Sequence, residues 1–276
     1  MRKWQETEVQ ITTGDEAGEV AHKSLCYISP YIIMIPKNHP RYESLMLRNK
    51  IAEGVKQGMV HPTGLIAHGR GEAFDYLLGE RTQSFADDAA RAAAAYLKIA
   101  KKPVISVNGN VAVLVADEIV KLAEETGMKI EVNLFHRSEE RIRKIIAFLE
   151  EKGGNDILGI EADARIAGLS HDRALCSSEG IYAADVILVP LEDGDRCEAL
   201  KHMGKVVVTV DLNPLSRTAL SADVTVVDNV IRAIPNIREH YTTVDEPYEV
   251  VEMWDNKTHL QMALDFICER LRTYYR

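Results

Sequence analysis

The sequence predicts an α/β protein: a parallel sheet covered by helices on both faces, with a mainly helical part ahead of it. Three observations carry this. β-Branched apolar runs recur after residue 102, at 103–107, 129–135, 184–191, 205–211 and 223–228. Helical stretches separate most of them, and strands that alternate with helices pair in parallel. The runs are apolar nearly throughout instead of at every second position, the pattern of strands buried on both faces.

Residues 1–33 are polar, carry Thr12-Thr13-Gly14-Asp15 and lack helical periodicity, so they read as an N-terminal extension to a domain over 34–276. Met34 directly precedes Ile35-Pro36 and offers an alternative start of translation, which the mass of the native N-terminus decides. The helical part of the domain spans about 34–101. Over 41–58, Leu45, Met46, Ile51, Ala52 and Val55 recur at helical intervals, and His39-Pro40 sets an extended entry. A glycine-rich loop is expected next, over 61–72, where Gly69 and Gly71 flank Arg70 and are free to take positive φ or to approach another group closely. A short helix over 73–78 follows, stopped by Gly79. Residues 85–99 form an alanine-rich helix.

The sheet part spans about 102–276. The run from Pro103 ends in an Asn108-Gly109-Asn110 turn, and a helix follows over 111–126. After the strand at 129–135 come a charged helix over 138–152 and a short third strand at 156–160. A short helix follows Glu192-Asp193-Gly194-Asp195-Arg196. The last helix, 258–275, sets Leu260, Ala263, Leu264, Ile267 and Leu271 on one stripe, suited to covering the sheet or to a subunit contact.

Composition narrows the class. The chain has 276 residues, of which 46% are hydrophobic and 27% charged, an ordinary globular balance with enough length for a sizeable core. A net charge of −9 argues against a nucleic-acid-binding protein, so any anion site is a concentrated pocket. The four cysteines, Cys26, Cys176, Cys197 and Cys268, have neither CxxC nor zinc-site spacing and read as free thiols of a reducing cytosol. The apolar run at 25–35 is interrupted by Ser29 and Pro30 and is too short to span a bilayer. A cytoplasmic protein with no membrane partner is expected.

In open parallel sheets, ligands lie beyond the carboxyl ends of the strands. Those ends read Asn108-Gly109-Asn110, His136-Arg137, Asp193-Gly194-Asp195-Arg196, Asp211-Leu212-Asn213 and Asp228-Asn229. Neither a GxGxxG fingerprint nor a GxxxxGK[ST] loop occurs, so a nucleotide site here has to be built from scattered strand ends and arginines. In Asp211-Leu212-Asn213-Pro214-Leu215-Ser216-Arg217-Thr218, the aspartate can accept from a ribose hydroxyl, and Ser216, Arg217 and Thr218 offer phosphate donors. An Asx-Pro turn beside an exposed arginine accounts for the same residues. Arg70 likewise suits a carboxylate or phosphate, or simple solvation against a neighbouring glutamate, and Asn110 either lines a site or caps the helix behind it. His171-Asp172 are chain neighbours that point apart, and no GxSxG elbow accompanies them.

Taken together, His39-Pro40-Arg41-Tyr42, the run from Gly64 to Leu77 (GLIAHGRGEAFDYL), Gly180-Ile181-Tyr182-Ala183-Ala184-Asp185, the run from Pro190 to Arg196 (PLEDGDR) and the run from Asp211 to Ala219 (DLNPLSRTA) resemble archaeal phosphopantothenate synthetases, the 4-phosphopantoate–β-alanine ligases. The resemblance covers about residue 35 to the C-terminus. It implies a homodimer with a Rossmann-like sheet and a helical N-terminal part. It further implies an ATP-dependent ligase of coenzyme A synthesis that works with Mg²⁺ through an acyl adenylate and releases AMP and pyrophosphate. Its ATP contacts fall on Arg48, Arg70, Asp211, Leu212, Asn213, Arg217, Thr218, Asn229 and Val230, with Arg70 placed to stabilise charge in the transition state. Asn108, Asn110, His136 and Arg137 are the candidates for the other substrates, with Arg137 expected on the substrate phosphate. Two other classes fit the same sheet. A nucleotide-cofactor oxidoreductase would quench or enhance NAD(P)H fluorescence, and a non-catalytic nucleotide-binding protein would bind ATP without β-alanine-dependent AMP formation.

Overall fold

A computed structural model describes residues 35–275. The extension over 1–33, the Met34 start and Cys26 lie outside the described residues. The helical part is α1 (Tyr42–Lys56), α2 (Thr63–Leu78) and α3 (Ser84–Ile99). The sheet part follows as β1 (Pro103–Val107), α4 (Gly109–Thr126), β2 (Lys129–Val132), α5 (Glu139–Glu150), β3 (Ala164–Arg165), β4 (Leu175–Cys176), β5 (Val186–Pro190), α6 (Gly194–His202), β6 (Val206–Val210), α7 (Arg217–Ser221), β7 (Val224–Val226), α8 (Val230–Thr243), α9 (Pro247–Met253) and α10 (Asn256–Thr273).

Five strands form one parallel sheet in the order β2-β1-β5-β6-β7. Both faces are covered, and alternate strand residues serve each: Val186 and Leu188 of β5 join the cluster under the N-terminal helices, while Ile187 and Val189 join a second cluster under α6. The alanine run of α3 is buried, and its small side chains let that helix sit close on α8, α9 and β7. Among the described residues no helix is long and apolar enough to cross a membrane.

Three local readings change. The expected strand at 156–160 is a single bridge between Leu158 and Glu131, because Gly153, Asp156 and Gly159 take positive φ and break an extended run. The Asn108-Gly109-Asn110 stretch is not a turn between strand and helix: Asn108 caps α4 by accepting from the Val111 N–H, and Gly109 already opens the helix. The glycine-rich loop expected at 61–72 is helix from Thr63 on, since α2 runs unbroken to Gly79, whose φ of +87° ends it. Helix formers between the glycines sustain it, and Gly64 has a packing reason: a Cβ there would meet the Asn110 amide oxygen and, at 2.8 Å, Val60. α2 thereby lies against the start of α4, and the Asn110 amide donates to the Gly64 carbonyl over 3.0 Å.

The glycines of α2 therefore respond oppositely to substitution. At Gly69 a Cβ finds nothing within 4 Å, so Gly69→Ala is expected to gain about 0.5–1 kcal/mol of helix stability. At Gly64 the same gain is outweighed by about 1–3 kcal/mol of overpacking. Denaturant melts of the two variants should shift in opposite directions; shifts of the same sign would remove the close approach at Gly64.

Candidate active site

The strand order reverses between β1 and β5, and the crevice beyond their carboxyl ends is where ligands of open α/β sheets bind. A cavity of about 440 Å³ occupies this crevice, within the range of small-molecule sites. Its walls come from every strand end in turn. Leu134, Phe135 and His136 follow β2; Asn108, Gly109 and Asn110 follow β1; Leu191 and Asp193 follow β5; Leu212 follows β6; Asn229 and Val230 follow β7. α2 closes the groove from above with Gly64, Ala67, His68, Arg70, Gly71 and Glu72. The Asn108 amide bridges the switch point by donating to the Leu191 carbonyl over 3.1 Å. Leu191 itself has a φ of +58°, a strained conformation for a leucine, at the wall of the cavity.

Asn108 thus caps α4 and joins β1 to β5. Asn108→Ala is expected to cost about 1–2 kcal/mol, the sum of a lost cap and a lost hydrogen bond. Urea unfolding checks this, and an unchanged midpoint would refute both roles.

The predicted residues do not all converge. Arg70, Leu212, Asn229, Val230, Asn108, Asn110 and His136 line the cavity. Arg48 stands behind α2, with its Nε donating to Glu72 over 2.8 Å. Burial pushes the Glu72 carboxyl up, but hydrogen bonds from Arg48 and Tyr76 outweigh this and hold it below the usual carboxylate range. Asp211 is half-buried at the end of β6 and accepts from the Ser216 hydroxyl and the Asn213 N–H. Burial pushes its carboxyl up, against the pull of those bonds and of Arg70. Arg217 faces solvent and pairs with Glu198, and the Thr218 hydroxyl donates to the Glu192 carbonyl. Arg137 is not among the lining residues; its guanidinium donates to the carbonyls of Gly159 and Ile160 at 2.6 and 3.0 Å.

Other lining residues escaped the sequence reading. His61 stands just before α2, Thr63 and His68 on it, Arg141 in the first turn of α5, and Arg173 in the connection between β3 and β4. Arg173 is nearly buried and held by Glu192 and Asp193 at 3.0 and 2.8 Å. Glu192 also pairs with Arg196, which is fully buried behind the cavity. His171 pairs with Asp195 over 2.9 Å, not with its neighbour Asp172. Buried His68 Nε2 has no hydrogen-bond partner among the described residues, and desolvation holds that ring below the usual imidazole range. The positive ends of α2 and α4 both face the groove. With Arg70 and Arg141, they make the cavity a site for anions despite the chain's acidic balance.

A family model described as phosphopantothenate/pantothenate synthetase matches residues 85–270. A 4-phosphopantoate–β-alanine ligase of Methanosarcina mazei is 53% identical over 244 residues, covering 87% of this chain and 96% of that protein. One of Thermococcus kodakarensis is 52% identical over 246 residues, covering 87% and 94%. One of Methanospirillum hungatei is 49% identical over 242 residues, covering 86% and 98%.

Proposed function

The chain belongs to the phosphopantothenate/pantothenate synthetase family, and on that premise we propose that it joins 4-phosphopantoate to β-alanine at the expense of ATP. The observation that carries the reading is the groove itself. It is elongated across all the strand ends, anion-seeking along its length, and roofed by the same α2 that bears the family's GLIAHGRGEAFDYL run. In the proposed sequence, the 4-phosphopantoate carboxylate attacks the α-phosphorus of ATP. The bond to the bridging oxygen breaks, and pyrophosphate leaves with its electron pair. The β-alanine amine, having lost a proton, then attacks the acyl carbon, and AMP departs as the amide forms. The product keeps its phosphate and is carried forward to coenzyme A.

Within this reading, Leu212, Asn229 and Val230 receive the nucleoside at the β6–β7 end. The Asp211 carboxylate and Asn213 amide lie beside it for the ribose, and Arg70 stands over the phosphates. Arg48, Arg217 and Thr218 complete the nucleotide set, the two arginines after exchanging their present carboxylate partners. Asn108, Asn110 and His136 hold the other substrates. Among the described residues no group of three or more metal-ligating side chains stands together. Mg²⁺ is therefore proposed to enter on the ATP phosphates and keep its waters, its usual habit; when bound it neutralises phosphate charge. The protein is read as a homodimer, for which light scattering should give about twice the chain's 30.8 kDa. Purified protein with ATP, Mg²⁺, 4-phosphopantoate and β-alanine should form AMP, and omission of either organic substrate should abolish it. AMP formation independent of β-alanine would overturn the ligase reading.

A further inference from the structure

Arg48 reaches a nucleotide only by leaving Glu72, and that departure has to be compensated. Glu72 is a buried carboxylate of α2 with three donors around it. Arg48 Nε donates to one of its oxygens over 2.8 Å. The Tyr76 hydroxyl donates to the other oxygen, and Arg41 Nη2 approaches that same oxygen only to 3.4 Å. Arg48 is thus the close cation, and nearly half of its side chain stays in solvent, where it is able to swing away. Its departure strands a buried charge, which is strongly destabilising unless a second cation takes its place.

The group placed to do so is His68. It stands four residues before Glu72, so the two side chains share one face of α2. Its ring lines the groove and also a small cavity of about 20 Å³ that it shares with Glu72 and Asp75, with room for one bridging water. The buried Nε2 has no hydrogen-bond partner among the described residues. Desolvation is the main cause that keeps this ring neutral, and the charge of Arg48 adds to it, while Glu72 and Asp75 pull the other way. The remaining charges around the small cavity have other company. Asp75 accepts from Arg232 and from the Asn229 amide, and Arg232 also holds Asp228. Glu43 of α1 and Glu80, just beyond α2, are exposed and screened by solvent. The carboxylate whose partner a phosphate would claim is Glu72.

We propose that His68 is the reserve counter-ion of Glu72: when Arg48 turns to the nucleotide phosphates, the imidazole takes one proton from solvent and pairs with the abandoned carboxylate. His68 and Glu72 are then positioning residues for Arg48, and nucleotide binding carries a proton with it. The exchange rests on the ligase reading for the nucleotide. It rests on the shared buried carboxylate and the unpartnered imidazole nitrogen for the triad itself. The ring holds its proton more tightly with nucleotide bound than without. ATP affinity therefore falls as pH rises between the two titration midpoints of His68, by up to about tenfold per pH unit for one proton. Below both midpoints the ring is charged in either state, and the dependence vanishes.

Two measurements test this. Without nucleotide, NMR titration of isotope-labelled histidines reads the triad alone, with the His68 signal identified by its loss in His68→Gln. Arg48→Ala should raise the His68 midpoint by about one pH unit, the low end for a neighbouring charge, and Glu72→Gln should lower it. Thermal melts accompany both variants, and Arg48→Ala, at a half-exposed side chain, carries the test if Glu72→Gln fails to fold. An unmoved His68 midpoint in Arg48→Ala overturns the exchange. With nucleotide, calorimetric titration of MgATP in buffers of contrasting ionisation enthalpy counts protons. Wild-type protein should take up as much as about one proton more per ATP than His68→Gln between the two midpoints. The nucleotide's own titration is common to both proteins and drops out of the difference. ATP binding with equal proton counts in wild type and His68→Gln overturns the exchange and keeps the ligase. A raised His68 midpoint in Arg48→Ala, with no ATP binding by wild-type protein, leaves the exchange of counter-ions standing and overturns the ligase reading.

Discussion

Arg70→Ala is expected to lower the 4-phosphopantoate-dependent exchange of pyrophosphate into ATP by about 10²–10³-fold, the effect of removing one preorganised donor from a charge-developing transition state. The thermal midpoint should stay within a degree or two, about the shift of a surface substitution. The asymmetry follows from the side chain's surroundings. Arg70 is exposed on the groove side of α2, and no ion pair or hydrogen bond engages it among the described residues. Its charge acts on Asp211, whose carboxyl it pulls down against burial. Its removal therefore costs the fold little, while in the proposed adenylation the departing pyrophosphate would lose a charge placed on the groove side of α2. Arg70→Lys keeps the charge and loses the fork, and should recover part of the rate. Normal exchange in Arg70→Ala would take the residue out of the chemical step.

That a glycine-flanked arginine sits on a helix, not a loop, shows where the sequence was legible. Strand runs announced themselves through continuous β-branched apolar character and the long helices through periodicity, and the polar strand ends marked the groove. Asn108, Asn110, His136, Leu212 and Asn229 all reach it. What stayed hidden was placement by tertiary packing. Gly64 reads as a loop residue until α4 is seen pressed against it. Arg137 and Arg141 are the same residue type four positions apart, yet one turns to the carbonyls of Gly159 and Ile160 and the other to the wall of the cavity. The direction of Arg137 depends on the irregular segment around 153–160, whose positive-φ residues carry no periodicity, and that of Arg141 on the carbonyls of His136 and Met59. Arg173 lies on a one-turn 3-10 helix, Asp172–Ala174, beside a two-residue strand pair, elements too short to leave a pattern. α8 begins directly at the Asn229 cap and contains Pro235, which masks its helical character in sequence.

Asp75→Ala should be the most destabilising change near the site, at about 3 kcal/mol, and should also raise the KM for ATP. Asp75 is a nearly buried carboxylate on the inner face of α2. It accepts from Arg232 Nη2 over 2.5 Å and from the Asn229 amide over 2.8 Å. Arg232 also pairs with Asp228, over 2.6 Å, and Asp228 in turn accepts from the Thr82 hydroxyl over 2.6 Å. These bonds are the polar latch between the roof of the groove and the end of β7. Breaking a buried pair costs about 3–5 kcal/mol because the surviving charge is left uncompensated. Here Arg232 retains Asp228 and one-fifth of its side-chain surface stays in solvent, which places the loss at the lower end. For a chain of this size that corresponds to a fall of about 6–12 °C in the thermal midpoint. The functional consequence runs through Asn229. Its side chain loses the acceptor that orients it, and it lines the end of the cavity proposed for the nucleotide. The KM for ATP should therefore rise more than that for 4-phosphopantoate, whose proposed contacts Asn108, Asn110 and His136 follow β1 and β2. Asp75→Asn keeps one acceptor and the shape, and should fall between wild type and Asp75→Ala in both measurements. A fall in stability with both KM values unchanged would make the latch structural alone and detach Asn229 from nucleotide binding.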